Sequence, residues 1–253
     1  MALNFRHLSL LFLIFTACKS DKKEPENLIF ETQTILETTG ENCENLEKNC
    51  TVISIKFPLA TGNSDASREI NRELKEEIIQ IISPVDGERP ASLQELANNF
   101  IQDYRKTAAD FPQEPTWEAY VDGEIYHESD SLISVGINSE IFRGGAHGYR
   151  GLSFLNFSKE TGKLYTYEEL FTPEFKDYAE NVFRENQEIP EGENINSTGF
   201  WFENDTFHLP LNIGFKDDKI LLAYNAYEVA PYSAGSVYLE IPKAEVESYL
   251  KVE

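Results

Sequence analysis

Two short stretches of alternating apolar residues bracket a pair of cysteines, and they constrain the start of this chain more than anything else in it. Residues 28–38 place Leu28, Phe30, Thr32, Thr34 and Leu36 on one side, and residues 51–59 repeat the period with Ile53, Ile55, Phe57 and Leu59. A period of two puts one face of a strand in a core and the other in solvent. Cys43 and Cys50 lie between the two runs with a polar hexapeptide separating them, so a disulfide would staple a hairpin loop. Zinc ligation is the alternative for such a pair, but the spacing is not CxxC and no histidine stands nearby.

The pattern then changes to helical. Ser64 or Asp65 can cap a helix to about Ile82, with Ile70, Leu74, Ile78, Ile81 and Ile82 on one stripe. After a Pro/Gly turn, Ser92 and Glu95 have capping-box spacing and open a second helix to about Ala109. Beyond Pro115 the chain reads mainly as strand: 117–128, 132–142, 152–157, 207–215, 220–224 and 236–241. Helical segments are expected at 166–171, 173–186 and 244–250. Strands and helices fall in runs instead of alternating as βαβ, which predicts an α+β fold. The expectation is an antiparallel sheet with flanking helices. A small hairpin-plus-helices module (28–114) would pack with a larger strand-rich domain (115–253).

The first residues carry an address. Arg6 and His7 precede the apolar run Leu8–Phe15, and the segment closes on Thr16-Ala17-Cys18. A basic start, about ten apolar residues and a small-residue cut site describe a secretory signal, too short for the ~20 residues of a membrane-spanning helix. A cysteine after the small pair resembles a bacterial lipoprotein signal. Residues 1–17 would then be removed, Cys18 would be acylated and hold the protein on a membrane, and 18–27 would form a polar tether. An ordinary signal cut nearby, with Cys18 incidental, is the alternative. Export suits the even cysteine pair that remains after Cys18, since disulfides persist in oxidising compartments.

Composition excludes whole classes of function. The 253 residues hold 22 basic against 44 acidic side chains, a net charge of -22, with 41% hydrophobic and 12% aromatic residues. That content supports a packed core. The charge argues against nucleic acid, whose phosphates demand a cationic face. A solvated acidic surface explains most of it, although such a field also attracts a basic partner. No GxSxG, HExxH, GxxxxGK[ST] or GxGxxG motif is present, and His127, His147 and His208 are scattered along the chain. No cofactor, metal site or catalytic residue is assigned. With 44 acidic residues, some carboxylates fall at glycosidase spacing by chance, so a pair of that kind has no distinguishing mark in the sequence. Should catalysis exist, His147 with a nearby carboxylate is the place to look.

Two segments stand out as candidate ligand-facing elements. Arg143-Gly144-Gly145-Ala146-His147-Gly148-Tyr149 packs three glycines into five residues, which permits unusual backbone angles and close approach. Its bland reading is a tight bend whose histidine bonds a neighbouring carbonyl. Residues 224–235 hold Tyr224, Tyr227, Glu228 and Tyr232 with a Pro/Gly bend. Tyrosines there offer a broad face with a hydroxyl for sugars or peptides, or simply packing. The candidate binding set is Arg143, Gly144, Gly145, His147, Tyr149, Tyr227, Glu228 and Tyr232.

These same residues carry a resemblance. The GGAHG stretch is followed by Leu155-Asn156-Phe157, Thr161-Gly162-Lys163 and Glu168-Glu169-Leu170-Phe171, then by the Tyr227–Gly235 motif and Ile241-Pro242. Together they resemble paired extracytoplasmic domains of unknown function. Such domains form the external half of RsiV-type lysozyme-sensing anti-sigma factors and precede the catalytic domain of PdaC-type peptidoglycan deacetylases. The resemblance spans about residues 28–250. It implies the shared external module without the output domain of either, and hence recognition in the envelope of a basic protein such as lysozyme, or of cell-wall glycan. The alternatives are a cell-wall hydrolase with an unrecognised carboxylate or histidine site, and an accessory subunit of an envelope complex. The expected location is a membrane surface, facing the periplasm or the cell exterior.

Overall fold

The computed structural model describes residues 28–40, 43, 50–84 and 87–252. The signal and tether expected at 1–27 lie outside them. Strands β1 (Ile29–Gly40) and β2 (Cys50–Thr61) pair antiparallel over their full lengths, from Ile29↔Thr61 to Gly40↔Cys50. At the turn end a Cys43–Cys50 disulfide closes the hairpin. The chain then crosses one face of the sheet through α1 (Asp65–Ile82) and α2 (Leu93–Asp110). Ser64 Oγ accepts from Ser67 N at 3.1 Å and Ser92 Oγ from Glu95 N at 3.1 Å, so both helices start where a side-chain oxygen can satisfy an open amide. The Glu95 carboxylate reaches back past the cap and accepts from Ala91 N at 2.8 Å.

This crossover has a consequence that the runs of elements do not show. The next strand, β3 (Glu118–Glu128), returns alongside β2 in the same direction, with Val52↔Glu118 through Lys56↔Asp122 in parallel register. A parallel pair needs a long connection, and the two helices supply it. The sheet is therefore mixed, in the order β1-β2-β3-β4-β5, with β4 (Leu132–Phe142) and β5 (Tyr149–Ser158) completing an antiparallel meander. It draws two strands from before residue 115 and three from after it.

The helix-facing side of this sheet holds the first core. Ile70, Leu74 and Ile78 recur at every fourth position of α1, fully buried, and meet Ile53, Ile55, Val135, Ile137 and Phe157 together with Phe100 of α2. Each such aliphatic side chain contributes about 1.5–3 kcal/mol by leaving water. Because strand side chains alternate, residues 132, 134 and 136 face the other way.

On that side lies the second layer. After α3 (Tyr167–Leu170) and α4 (Phe175–Asn186), an antiparallel sheet forms from β6 (Asn212–Lys216), β7 (Lys219–Tyr224) and β8 (Val237–Pro242), closed by the short α5 (Lys243–Val246). Its core gathers Phe175, Phe183, Phe207, Phe215, Leu222 and Tyr224 and also takes Leu132 from β4. Buried polar side chains dock the two layers: Ser134 Oγ accepts from Phe215 N at 3.0 Å, and Asn156 Nδ2 donates to Ile213 O at 2.7 Å. The strand expected at 207–215 begins only at Asn212. Pro210 has no amide to give a ladder, and its carbonyl accepts instead from Tyr167 Oη at 2.7 Å. Likewise the helix expected at 244–250 is one turn, followed by a 3₁₀ turn at Glu247–Tyr249.

Candidate functional site

The hairpin between β4 and β5 closes at Ile141↔Tyr149, leaving residues 142–148 as its loop. Gly144 and Gly145 both sit at φ +81°, a region that side-chain-bearing residues resist. At Gly144 a Cβ would run into the carboxylate of Glu114, which accepts from Trp117 Nε1 at 3.0 Å. The glycine pair thus lets the loop press against the segment that enters β3. Arg143, just before it, turns into the helix layer. Its guanidinium lies 4.6 Å from the centre of the Phe100 ring and 5.4 Å from that of Trp117, and Nη2 donates to Ile82 O at 2.7 Å. Burial pulls its pKa below the usual arginine value, with Asp103 opposing. Arg143 therefore ties the loop to both helices and points away from the other candidate residues.

The tyrosine segment belongs to the second layer and leaves the end of β7. It runs along the free edge of β5 as a strap. Asn225 imitates a strand there: Leu152 N donates to its Oδ1 at 2.9 Å, and its Nδ2 donates to Leu152 O at 3.0 Å. Glu228 spends both oxygens on backbone amides, accepting from Leu211 N at 2.7 Å and from Asn225 N at 3.0 Å. Burial raises its pKa above the ordinary carboxylate value, the two amides and His208 opposing. Glu228 organises the strap. Tyr232 fastens its far end, donating from Oη to Gly148 O at 2.9 Å.

That contact brings the two sequence motifs together. The His147 ring stacks on Tyr232, centroids 3.9 Å apart and planes 18° from parallel, and Tyr227 stands 5.5 Å from Tyr232. His147 Nδ1 lies 3.0 Å from Gly148 O, the bond of a bend-stabilising histidine, so the ring both shapes its loop and presents a face. Tyr227 is 52% exposed and sits at φ 73°, in the left-handed region. Bulky residues rarely occupy that region, and strain of this kind clusters at functional sites.

Beside the stack opens a cleft of about 450 Å³ lined by Thr116, Glu118, Glu140, Tyr149, Arg150 and Tyr232. Arg150 Nη2 donates to Glu140 Oε1 at 2.5 Å across β4 and β5. Tyr149 is 40% exposed, its pKa raised by burial and by Glu228 and Tyr238. Sequence reading missed Glu140, Arg150 and the strap residue Asn225. The first two meet only once the hairpin register is known, and nothing local marks Asn225 as an edge cap.

The three histidines among the described residues occupy separate settings. His127 sits by a bulge in β3 with its ring 6.1 Å from Phe215, and His208 packs 5.1 Å from Phe202. Among the described residues, no group of three or more His, Cys, Asp or Glu side chains is placed to hold a metal ion. No helix among them is long and apolar enough to cross a membrane.

Two family models match the chain. One, described as deacetylase PdaC, covers residues 44–150, and the other, a protein family of unknown function (DUF3298), covers residues 165–244. A DUF3298 family protein from Pseudomonas aeruginosa PAO1 superposes with TM-score 0.59 at 19% identity, over 88% of this chain and 95% of that one. A DUF3298 family member from Bacteroides fragilis NCTC 9343 does so with TM-score 0.61 at 20% identity, over 90% and 95%. At that identity the likeness is one of fold. No curated protein matches the sequence.

Proposed function

We propose that this chain, which pairs a PdaC-type domain with a DUF3298 domain, is a non-catalytic recognition protein of the bacterial cell envelope that binds peptidoglycan-type glycan. On this reading the lipid on Cys18 anchors it to a membrane and the folded part faces the periplasm or the cell surface. One observation carries the reading: motifs from the two layers converge in the His147–Tyr232 stack, with Tyr227 held exposed in a strained backbone beside it. Aromatic faces pack against the C–H faces of sugars while their polar atoms take hydroxyls. The adjoining cleft adds the charged groups of Glu118, Glu140 and Arg150, and its volume falls in the ~300–1,000 Å³ range of small-molecule sites.

A second reading has its own observation. A net charge of -22 would speed association with a strongly basic protein such as lysozyme. Such attraction is screened over ~8 Å at physiological ionic strength, so it supplies rate more than specificity. The discriminating experiment is sedimentation of the protein with purified peptidoglycan sacculi, using the wild type and Tyr232→Ala. Binding lost in the variant supports this aromatic ledge, the His147–Tyr232 stack with Tyr227 beside it. Equal binding by both, or release of sugar fragments by the wild type, would overturn the reading of a non-catalytic site there.

A further inference from the structure

A second concavity, of about 460 Å³, lies apart from the His147–Tyr232 stack, where α1, β5 and the strap region of the second layer meet. Glu77 and Gln80 approach from the last turns of α1, Tyr149 and Ser153 from β5, and Asn212 and Asn225 from the second layer. Its walls therefore come from both domains, a common location for ligand sites. We propose that this interdomain cleft is a saccharide site in its own right, taking an uncharged mono- or disaccharide, with polar groups distinct from those at the His147–Tyr232 stack although Tyr149 lines both concavities.

The chemistry of the lining selects the ligand. Among the described residues, no Lys or Arg lines the cleft and Glu77 is its one formal charge, so an anion finds no counter-ion there and meets a like charge. The remaining polar groups are amides and hydroxyls. Neither Gln80 nor Ser153 spends its side chain on a hydrogen bond to another described residue, which leaves an amide and a hydroxyl open to a ligand. Asn212 accepts from Phe154 N through Oδ1 at 3.2 Å, which leaves its Nδ2 donors for an acceptor in the cleft. Glu77 and Gln80 are three residues apart on α1 and so lie on one helix face, where a carboxylate and an amide can take neighbouring hydroxyls. The apolar part of a sugar needs a flat partner, and Tyr149 provides one. Its ring approaches Gly151 so closely that a Cβ there would stand 3.1 Å from it. Donors and acceptors lining one cleft with an aromatic ring, and no cation among its described residues, match a pyranose better than a nucleotide, a phosphate or a peptide carboxylate.

The test is a titration of the isotope-labelled protein with N,N′-diacetylchitobiose and with maltose, followed by amide chemical shifts, with putrescine as a cationic control. The expected result is saturable shifts centred on Gln80, Ser153 and Asn212 with one of the sugars. Gln80→Ala, on an exposed helix position, should weaken that binding about tenfold, and Ser153→Trp, which fills the cleft, should abolish it. Shifts confined to His147 and Tyr232 would support the ledge and overturn the cleft. No saturable shift with either sugar, or a stronger response at the cleft to putrescine than to the sugars, would overturn the saccharide assignment.

Discussion

Replacing Tyr227 separates a residue kept for function from one kept for folding. Its side chain is 52% exposed, and its one ring neighbour among the described residues is Tyr232 at 5.5 Å. Its backbone, at φ 73°, costs about 1–2 kcal/mol relative to a right-handed conformation. Glycine or asparagine relieves most of that strain. Against the relief stand the added unfolded-state entropy of glycine, about 0.5–1 kcal/mol, and a ring contact of about 0.5–1 kcal/mol. These nearly cancel, so Tyr227→Gly should shift the unfolding free energy by less than about 1 kcal/mol, whereas truncating a buried aromatic costs about 3–5 kcal/mol. Asparagine, which tolerates the left-handed region without glycine's entropy, should leave stability equal or slightly raised. Urea unfolding followed by tryptophan fluorescence gives the stability, and binding to peptidoglycan fragments gives the function. Binding should fall at least tenfold in both variants. A loss of 2 kcal/mol or more in stability would show that the strain reasoning is wrong. Unchanged affinity would show that the exposed ring has no part in recognition.

Three further outcomes follow from the same contacts. Asn225→Ala removes both bonds to Leu152, so the Leu152 amide should exchange with solvent markedly faster and stability should fall by about 1–3 kcal/mol; unchanged protection at Leu152 would mean that the strap does not hold the sheet edge. Burial, reinforced by Lys243 and opposed by Asp217, lowers the pKa of His127, and its Nε2 is buried with no hydrogen-bond partner among the described residues. The neutral ring is thus favoured in the fold: its contribution is complete above the ordinary histidine value of about 6.5 and is lost as pH falls below it. Wild type should lose more stability between pH 7.5 and 5.5 than His127→Phe, and parallel profiles would contradict this. Reducing the Cys43–Cys50 bond, which joins residues seven apart, should cost about 2–3 kcal/mol by releasing loop entropy in the unfolded chain; a change under about 0.5 kcal/mol in the unfolding free energy would refute it.

Local chemistry was legible in the sequence, and long-range geometry was not. The caps at Ser64 and Ser92, the aliphatic stripe of α1 and the alternation in β1 and β2 each follow from nearest neighbours on one element. They appear where the pattern places them. The parallel pairing of β2 with β3 depends on which sheet edge the two-helix crossover between Thr61 and Glu118 returns to, and no local pattern records that. Residues 207–211 look apolar enough for a strand, but Pro210 and the Tyr167 hydroxyl decide otherwise. At the candidate site, the glycine-rich loop and the tyrosine segment were each recognisable as unusual. Their meeting at His147 and Tyr232 joins positions 85 residues apart through two different layers. Nor does a sequence show that Arg143 turns inward onto Phe100, or that Glu228 is consumed by Leu211 and Asn225. Orientation is set by what packs behind each side chain.

On the proposed function, the ledge recognises glycan through specific contacts and not through charge. Calorimetric titration with soluble peptidoglycan fragments, at low salt and at about 0.3 M, tests it most directly. Lysozyme and an equally basic unrelated protein serve as parallel titrants. Fragment binding should persist at high salt, with the unrelated basic protein released. Loss of fragment binding once charge is screened, or high-salt binding of lysozyme alone, would contradict it.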